Sequence, residues 1–264
     1  MSTVFVTLCD ITQFDRAKGT ISQLYHRGNW RGNIVIITVN FTPDDSFIEE
    51  YSVMIYPVQH INTDYIVQEI KKYPFYEPND KRQLNKLIQW DKLYVFSSYF
   101  KQWDRVIFLD AGIHVFNDVQ LFVDLDCTNS ILASDDSDPY DNGVRFHRQI
   151  DLSMNTNVVI DFINTFGVDC LTKKYFLNCM FMFDTQLIEE NTFNELIEMM
   201  NRFPICRCNE MTLMNMYFTL QKNVWKPFPM ITGDKLTFTF CETNYNNTPH
   251  CSNFIFLKYP VTGC

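Results

Sequence analysis

The chain has 264 residues, 46% hydrophobic and 16% aromatic, with 24 Phe and 13 Tyr against 8 Gly. That suffices for one large α/β domain or two small ones and excludes a disordered or low-complexity protein. The net charge of −9 argues against general nucleic-acid or anionic-membrane binding, which rests on Lys and Arg; an anionic small ligand would need a local basic patch or a metal ion.

Residues 3–8 read as a first strand, with Asp10 directly after it. No basic region precedes that run, and no stretch reaches the ~20 apolar residues of a membrane span. The expectation is a cytoplasmic protein. Residues 15–26 carry Ala17, Ile21, Leu24 and Tyr25 near helical spacing, with Gly28 as a stop, and 33–39 is a β-branched run. This β-α-β opening predicts a parallel sheet.

A third strand is expected at 52–58, ended by Pro57, then a helix at 64–73 and a loop at 74–80. Residues 83–100 form the longest amphipathic stretch, with Leu84, Leu87, Ile88, Leu93, Tyr94 and Phe96 on its apolar positions and Lys92 within its helical pattern. Residues 106–109 are a strand buried on both faces that ends in Asp110-Ala111-Gly112. A carboxylate there either binds a metal ion or polar substrate, as at the strand ends of open α/β sheets, or caps a turn.

A short strand is expected at 131–133, then a long polar loop over 134–153 carrying Arg145, His147 and Arg148. Short helices are expected at 157–166 and 169–174, a buried strand at 176–184, helices at 187–202 and 209–221, and strands at 235–241 and 254–258. The nine cysteines include no Cys-x-x-Cys, so most read as buried reduced thiols, with Cys206/Cys208 and Cys241/Cys251 left as possible pairs.

Four segments give this order a family resemblance. They are residues 3–10; Lys92-Leu93 followed by 104–112; 176–184 around Asn178; and Asn209-Glu210 followed by Leu213-Met214-Asn215. Together they resemble the GT-A fold of nucleotide-sugar glycosyltransferases, most similar to glycogenin-like family 8 enzymes, with Asp-x-Gly in place of Asp-x-Asp. The resemblance implies a single GT-A-like (Rossmann-type) α/β domain over 1–264. Its mainly parallel central sheet would be flanked by helices, with a nucleotide-binding half at 1–112 and a less regular sugar- and acceptor-binding half at 113–264.

The activity so implied is glycosyl transfer from a nucleoside diphosphate sugar, UDP-linked by preference, to a glycan, protein or small molecule. Asp110 and His250 would hold a divalent metal, Mn or Mg, with Gly112 removing the second carboxylate. Thr7, Asp10, Lys92, Ala111, Gly112, Asn178 and Lys258 would contact the donor. Each residue also has an ordinary reading: Lys92 and Lys258 as solvated lysines, His250 as a loop histidine, Asp10 as a turn former, Asn178 as a buried amide bonded to backbone. Glu210 reads as an acceptor-side base, a sugar contact or a helix-dipole partner. Asp135 and Asp136 read as sugar contacts or loop solvation. Retention at the anomeric carbon is implied; inversion would need a carboxylate base, for which Glu210 and Asp135 are the candidates.

Two alternatives stand beside this reading. One is a catalytically silent GT-A domain that binds sugar nucleotide or a protein partner. The other is a sugar nucleotidyltransferase, for which residues 9–20 offer only one Gly, with Arg16 and Lys18.

Overall fold

The computed structural model describes residues 1–72, 82–136, 143–240 and 251–258. Strands β1 (Thr3–Cys9) and β2 (Asn33–Val39) form where the β-branched runs lie, joined by helix α1 (Phe14–His26). They pair in parallel. Strands β3 (Met54–Val58), β4 (Arg105–Leu109), β6 (Ile131–Asp135), β7 (Phe176–Asp184) and β8 (Trp225–Pro227) complete a seven-stranded sheet in the order β3-β2-β1-β4-β7-β6-β8. Only β7 runs against its neighbours β4 and β6.

A second sheet has four strands, in the order β5-β11-β10-β9: β5 (Ile113–Val115), β9 (Ile231–Thr232), β10 (Lys235–Phe240) and β11 (Phe254–Lys258). It joins the first at the turn between β4 and β5.

Alternation along β1 and β4 divides the core. Phe5, Ile107 and Leu109 face α1 through Phe14, Ala17, Ile21 and Leu24. Val4, Val6, Val106 and Phe108 face the opposite layer, which contains Trp90, Leu93, Phe96, Phe162, Leu196 and Met200. Each such fully buried side chain contributes about 1.5–3 kcal/mol of hydrophobic stabilisation.

Several elements depart from the sequence expectation. Pro57 lies within β3 rather than ending it, which an edge strand tolerates because one side of its backbone needs no partner. The amphipathic stretch at 83–100 is a short helix Arg82–Asn85, a ten-residue 3₁₀ helix Leu87–Phe96 and a second 3₁₀ segment Ser98–Gln102. Leu87, Trp90, Leu93 and Phe96 recur every third residue, which lines them up at three residues per turn.

The stretch at 143–153 is no polar loop. It contains the 3₁₀ helix Phe146–Gln149, with Phe146 and Ile150 in the core. The helix expected at 187–202 begins at Thr192, after a 3₁₀ turn Thr185–Leu187. The helix expected at 169–174 is the 3₁₀ segment Val168–Thr172. The helix expected at 209–221 is α over Glu210–Met214 and π over Asn215–Gln221. The loop at 74–80 lies outside the described residues. So does Cys241, and with it the question of a Cys241/Cys251 pair; Cys206 and Cys208 are not joined to each other by a disulfide.

Candidate functional site

The turn between β4 and β5 is held from three sides. Asp110 N–H donates to Cys179 O of β7 at 2.8 Å, and Ile113 N–H donates to Asp110 O at 3.0 Å. Gly112 N–H donates to Thr20 Oγ1 of α1 at 2.9 Å, and that hydroxyl donates to Ile113 O at 3.0 Å. Gly112 has φ +91°, a conformation that favours glycine. β11 pairs antiparallel with β5 and sets Lys258 opposite Ile113. Lys258 Nζ therefore reaches Asp110 Oδ2 and Ala111 O, each at 3.4 Å.

Lys92 enters from the 3₁₀ helix Leu87–Phe96. Its side chain is 4% exposed, so the solvated-face reading of this lysine is corrected. Its Nζ lies 2.9 Å from Asp110 Oδ1, 3.0 Å from Glu210 Oε1 and 3.1 Å from Asn178 O. Next to it, fully buried Asp91 accepts from Ile61 N–H at 2.7 Å and pairs with His60 Nδ1 at 2.6 Å. This fastens the 3₁₀ helix to the segment after β3.

Glu210 is the first residue of its helix and is 2% exposed. Its Oε1 also accepts from Asn178 Nδ2 at 3.0 Å, whereas Oε2 is buried with no partner among the described residues. Such an orphaned acceptor is costly unless a ligand donor reaches it. Asn178 is held on β7, whose start is clamped by Asn215: Phe176 N–H donates to Asn215 Oδ1 and Asn215 Nδ2 donates to Phe176 O, both at 2.9 Å. The change to π-helix begins at Asn215, and such changes recur at functional sites.

Charge follows from this packing. Burial pushes the Glu210 carboxyl above the usual range, only partly offset by Lys92. Burial would also raise Asp110, but the cations of Lys92 and Lys258 overcome it and hold this carboxyl below its ordinary value. Burial would lower Lys92, but Asp110 and Glu210 together hold it above the usual lysine value and charged.

The structure thus brings together Asp110, Ala111, Gly112, Lys92, Asn178, Glu210 and Lys258. Asp135 closes β6 on the same sheet edge, with β7 between it and β4; it is a buried strand residue paired with Lys174 Nζ at 2.8 Å, not loop solvation. Asp136 accepts from Tyr175 Oη. Asp10 caps a 3₁₀ turn, accepting from Thr12 Oγ1 at 2.7 Å and Gln13 N–H at 3.0 Å. Thr7 does not reach the cluster: it borders Thr20, Ile21 and Leu24 under α1, and its hydroxyl is buried without a partner among the described residues. His250 lies outside the described residues. Sequence reasoning named Arg16, which lies against Gly112, only for the nucleotidyltransferase alternative, and gave no role to Asn215 as the clamp on β7. The i to i+3 spacing at 87–96 and the missing carboxylate at Gly112 were the signals available.

The described residues alone do not complete a divalent metal site, and His250, the second expected ligand, lies outside them. Both Asp110 oxygens face ammonium groups, whose charge opposes a second cation at that point. Gly112 brings no carboxylate, and among the described residues no three His, Cys, Asp or Glu side chains converge as a metal site.

No family model matches the chain, and no curated protein sequence matches it. Solved structures do. The chain is similar to the apo bifunctional glycosyltransferase WbbM, with TM-score 0.59 and 14% identity over 100% of this chain and 46% of that one. It is similar to the galactosyltransferase LgtC in complex with donor and acceptor sugar analogs, with TM-score 0.58 and 12% identity over 97% and 86% of the two chains. It is also similar to Core-mannan synthase A from Aspergillus fumigatus in its Mn/GDP form, with TM-score 0.50 and 11% identity over 86% and 73%. The chain spans less than half of WbbM. At these identities the likeness shows the fold alone: a mixed α/β GT-A architecture with a large, mostly parallel sheet.

Proposed function

We propose that this chain transfers a glycosyl group from a nucleoside diphosphate sugar, with UDP as the preferred nucleotide, to a hydroxyl of a glycan, protein or small molecule. The observation that carries this reading is the buried Lys92 ammonium bridging Asp110 and Glu210 at the C-terminal edge of β4. Open α/β sheets bind ligands at such edges. A buried ion pair with an orphaned carboxylate oxygen is costly to keep for packing alone.

In the reaction, the bond between the anomeric carbon and the diphosphate oxygen breaks, and its electron pair leaves with the diphosphate. The acceptor oxygen bonds to the anomeric carbon and gives its proton to the oxygen of the departing diphosphate. Lys92 and Lys258 meet the charge on the leaving group, with Asp110 fixing both ammonium groups. Glu210 Oε2 and Asn178 take donor-sugar hydroxyls, and Asp135 contributes from the end of β6. Residues 1–112 serve the nucleotide and 113–264 the sugar and acceptor, within one domain. The reaction retains anomeric configuration; Glu210 or Asp135 would be the base if it inverts, and NMR of the product reads this directly.

Gly112 favours a second reading, a silent domain that binds sugar nucleotide or a protein partner without turnover. The deciding experiment measures nucleotide release from a panel of UDP- and GDP-sugars by wild type and Asp110→Asn. Release by wild type, lost in a folded Asp110→Asn variant, supports transfer. Binding without release supports the silent domain, and neither binding nor release with any donor rejects both. Among the described residues no helix is long and apolar enough to cross a membrane.

A further inference from the structure

Two residues after Asp110, where the family resemblance expects a carboxylate, stands Gly112. The space that a side chain would take there is already filled. A Cβ on Gly112 would lie 2.6 Å from Arg16 Nη2 and 3.1 Å from Arg16 Cζ and Nε. Arg16 stands in the first turn of α1, four residues before the Thr20 hydroxyl that holds the turn. Where the resembled motif has a carboxylate, this chain places a guanidinium.

We propose that Arg16, together with Lys258, supplies the positive charge that a divalent cation would bring to the donor diphosphate, so that donor binding needs no metal. This inference rests on the reading that the β4 edge takes a nucleoside diphosphate sugar. A guanidinium matches phosphate geometry with a fork of N–H donors and stays charged at all working pH values. Among the described residues only Arg16 Nη1 is engaged, donating to Gln13 Oε1 at 3.2 Å. The Nη2 and Nε edge faces the turn, and no described carboxylate pairs with it.

Lys258 makes two long contacts, at 3.4 Å, and so keeps capacity for an incoming anion. The local field is positive: besides burial, the charges of Arg27, Lys258 and Arg16 hold His114 of β5 below its usual value. In a chain of net charge −9, this is the basic patch that an anionic ligand requires.

The test is calorimetric titration of EDTA-treated protein with UDP and with GDP, in EDTA and again with Mn²⁺. It uses wild type, Arg16→Gln and Arg16→Lys, with circular dichroism to check folding. Wild type binds in EDTA, with affinity within about threefold of that in Mn²⁺. Arg16→Gln weakens binding in EDTA by about tenfold or more, as expected for losing a charge-assisted contact, and Arg16→Lys recovers part. Nucleotide binding that appears only with Mn²⁺, or unchanged binding by Arg16→Gln, overturns the inference and leaves the glycosyl-transfer reading standing. No binding of either nucleotide under any condition overturns both.

Discussion

Lys92 and Glu210 form an ion pair of 3.0 Å in which both side chains are almost wholly buried, at 4% and 2% exposure. The pair joins a 3₁₀ helix to the first turn of a helix more than a hundred residues later. Asp110 shares the ammonium at 2.9 Å, so one cation holds two carboxylates.

Removing the cation strands both carboxylates. Lys92→Met is expected to cost about 3 kcal/mol or more, the usual effect of breaking a buried pair from one side. Adding Glu210→Gln to Lys92→Met should recover part of this, because one uncompensated charge is gone. Urea unfolding of the single and double variants measures both values. Equal losses in the two would mean that the carboxylates are not coupled through Lys92.

Stability should change with pH in a way that Glu210 controls. Its folded carboxyl sits above the ordinary value, so the protonated form is favoured in the native state. This contribution is full below the unfolded value of about 4.3 and is lost as pH rises through the folded value. Asp110 acts oppositely: its folded value is depressed, so it stabilises above the unfolded value and is lost as pH falls through the folded one. The stability gap between wild type and Glu210→Gln should therefore shift with pH above the ordinary carboxylate range. Urea midpoints from pH 4.5 to 8 test this, and a constant gap would contradict it.

Asn215 is expected to position Asn178 rather than touch a ligand. Asn215→Ala frees Phe176 N–H and O, both otherwise bonded to this side chain. The expected cost is about 2–3 kcal/mol, from buried backbone groups left unpaired. Hydrogen exchange at Phe176 should accelerate more than at Phe183, at the far end of β7. Uniform acceleration along the strand would point to global destabilisation instead.

The parts of this fold legible in the sequence are those with strong local patterns. The runs at β2, β7 and β11 match their strands because most of their residues are β-branched, aromatic or otherwise apolar, with Asn178 in β7 and Lys258 at the end of β11 as polar exceptions. Asp110 was legible because a carboxylate ended such a run. Lys92 was named only through the family resemblance, since nothing local marks a lysine as buried; its burial follows from Asp110 and Glu210 arriving from elsewhere in the chain. The 3₁₀ helix Leu87–Phe96 resembles an α-helix in composition, and only its three-residue spacing separates the two. β5 has three residues and pairs with β11, more than a hundred residues later, so its place in the second sheet had no local signature.

The most direct test of the central claim is a crystal structure of the chain soaked with UDP or a non-hydrolysable UDP-sugar. The diphosphate is expected over the β4–β5 turn, within hydrogen-bond reach of Lys258 and Arg16, and the sugar against Glu210 Oε2 and Asn178. Nucleotide bound away from the Asp110–Gly112 turn, with Lys92 and Glu210 untouched by ligand, would contradict it.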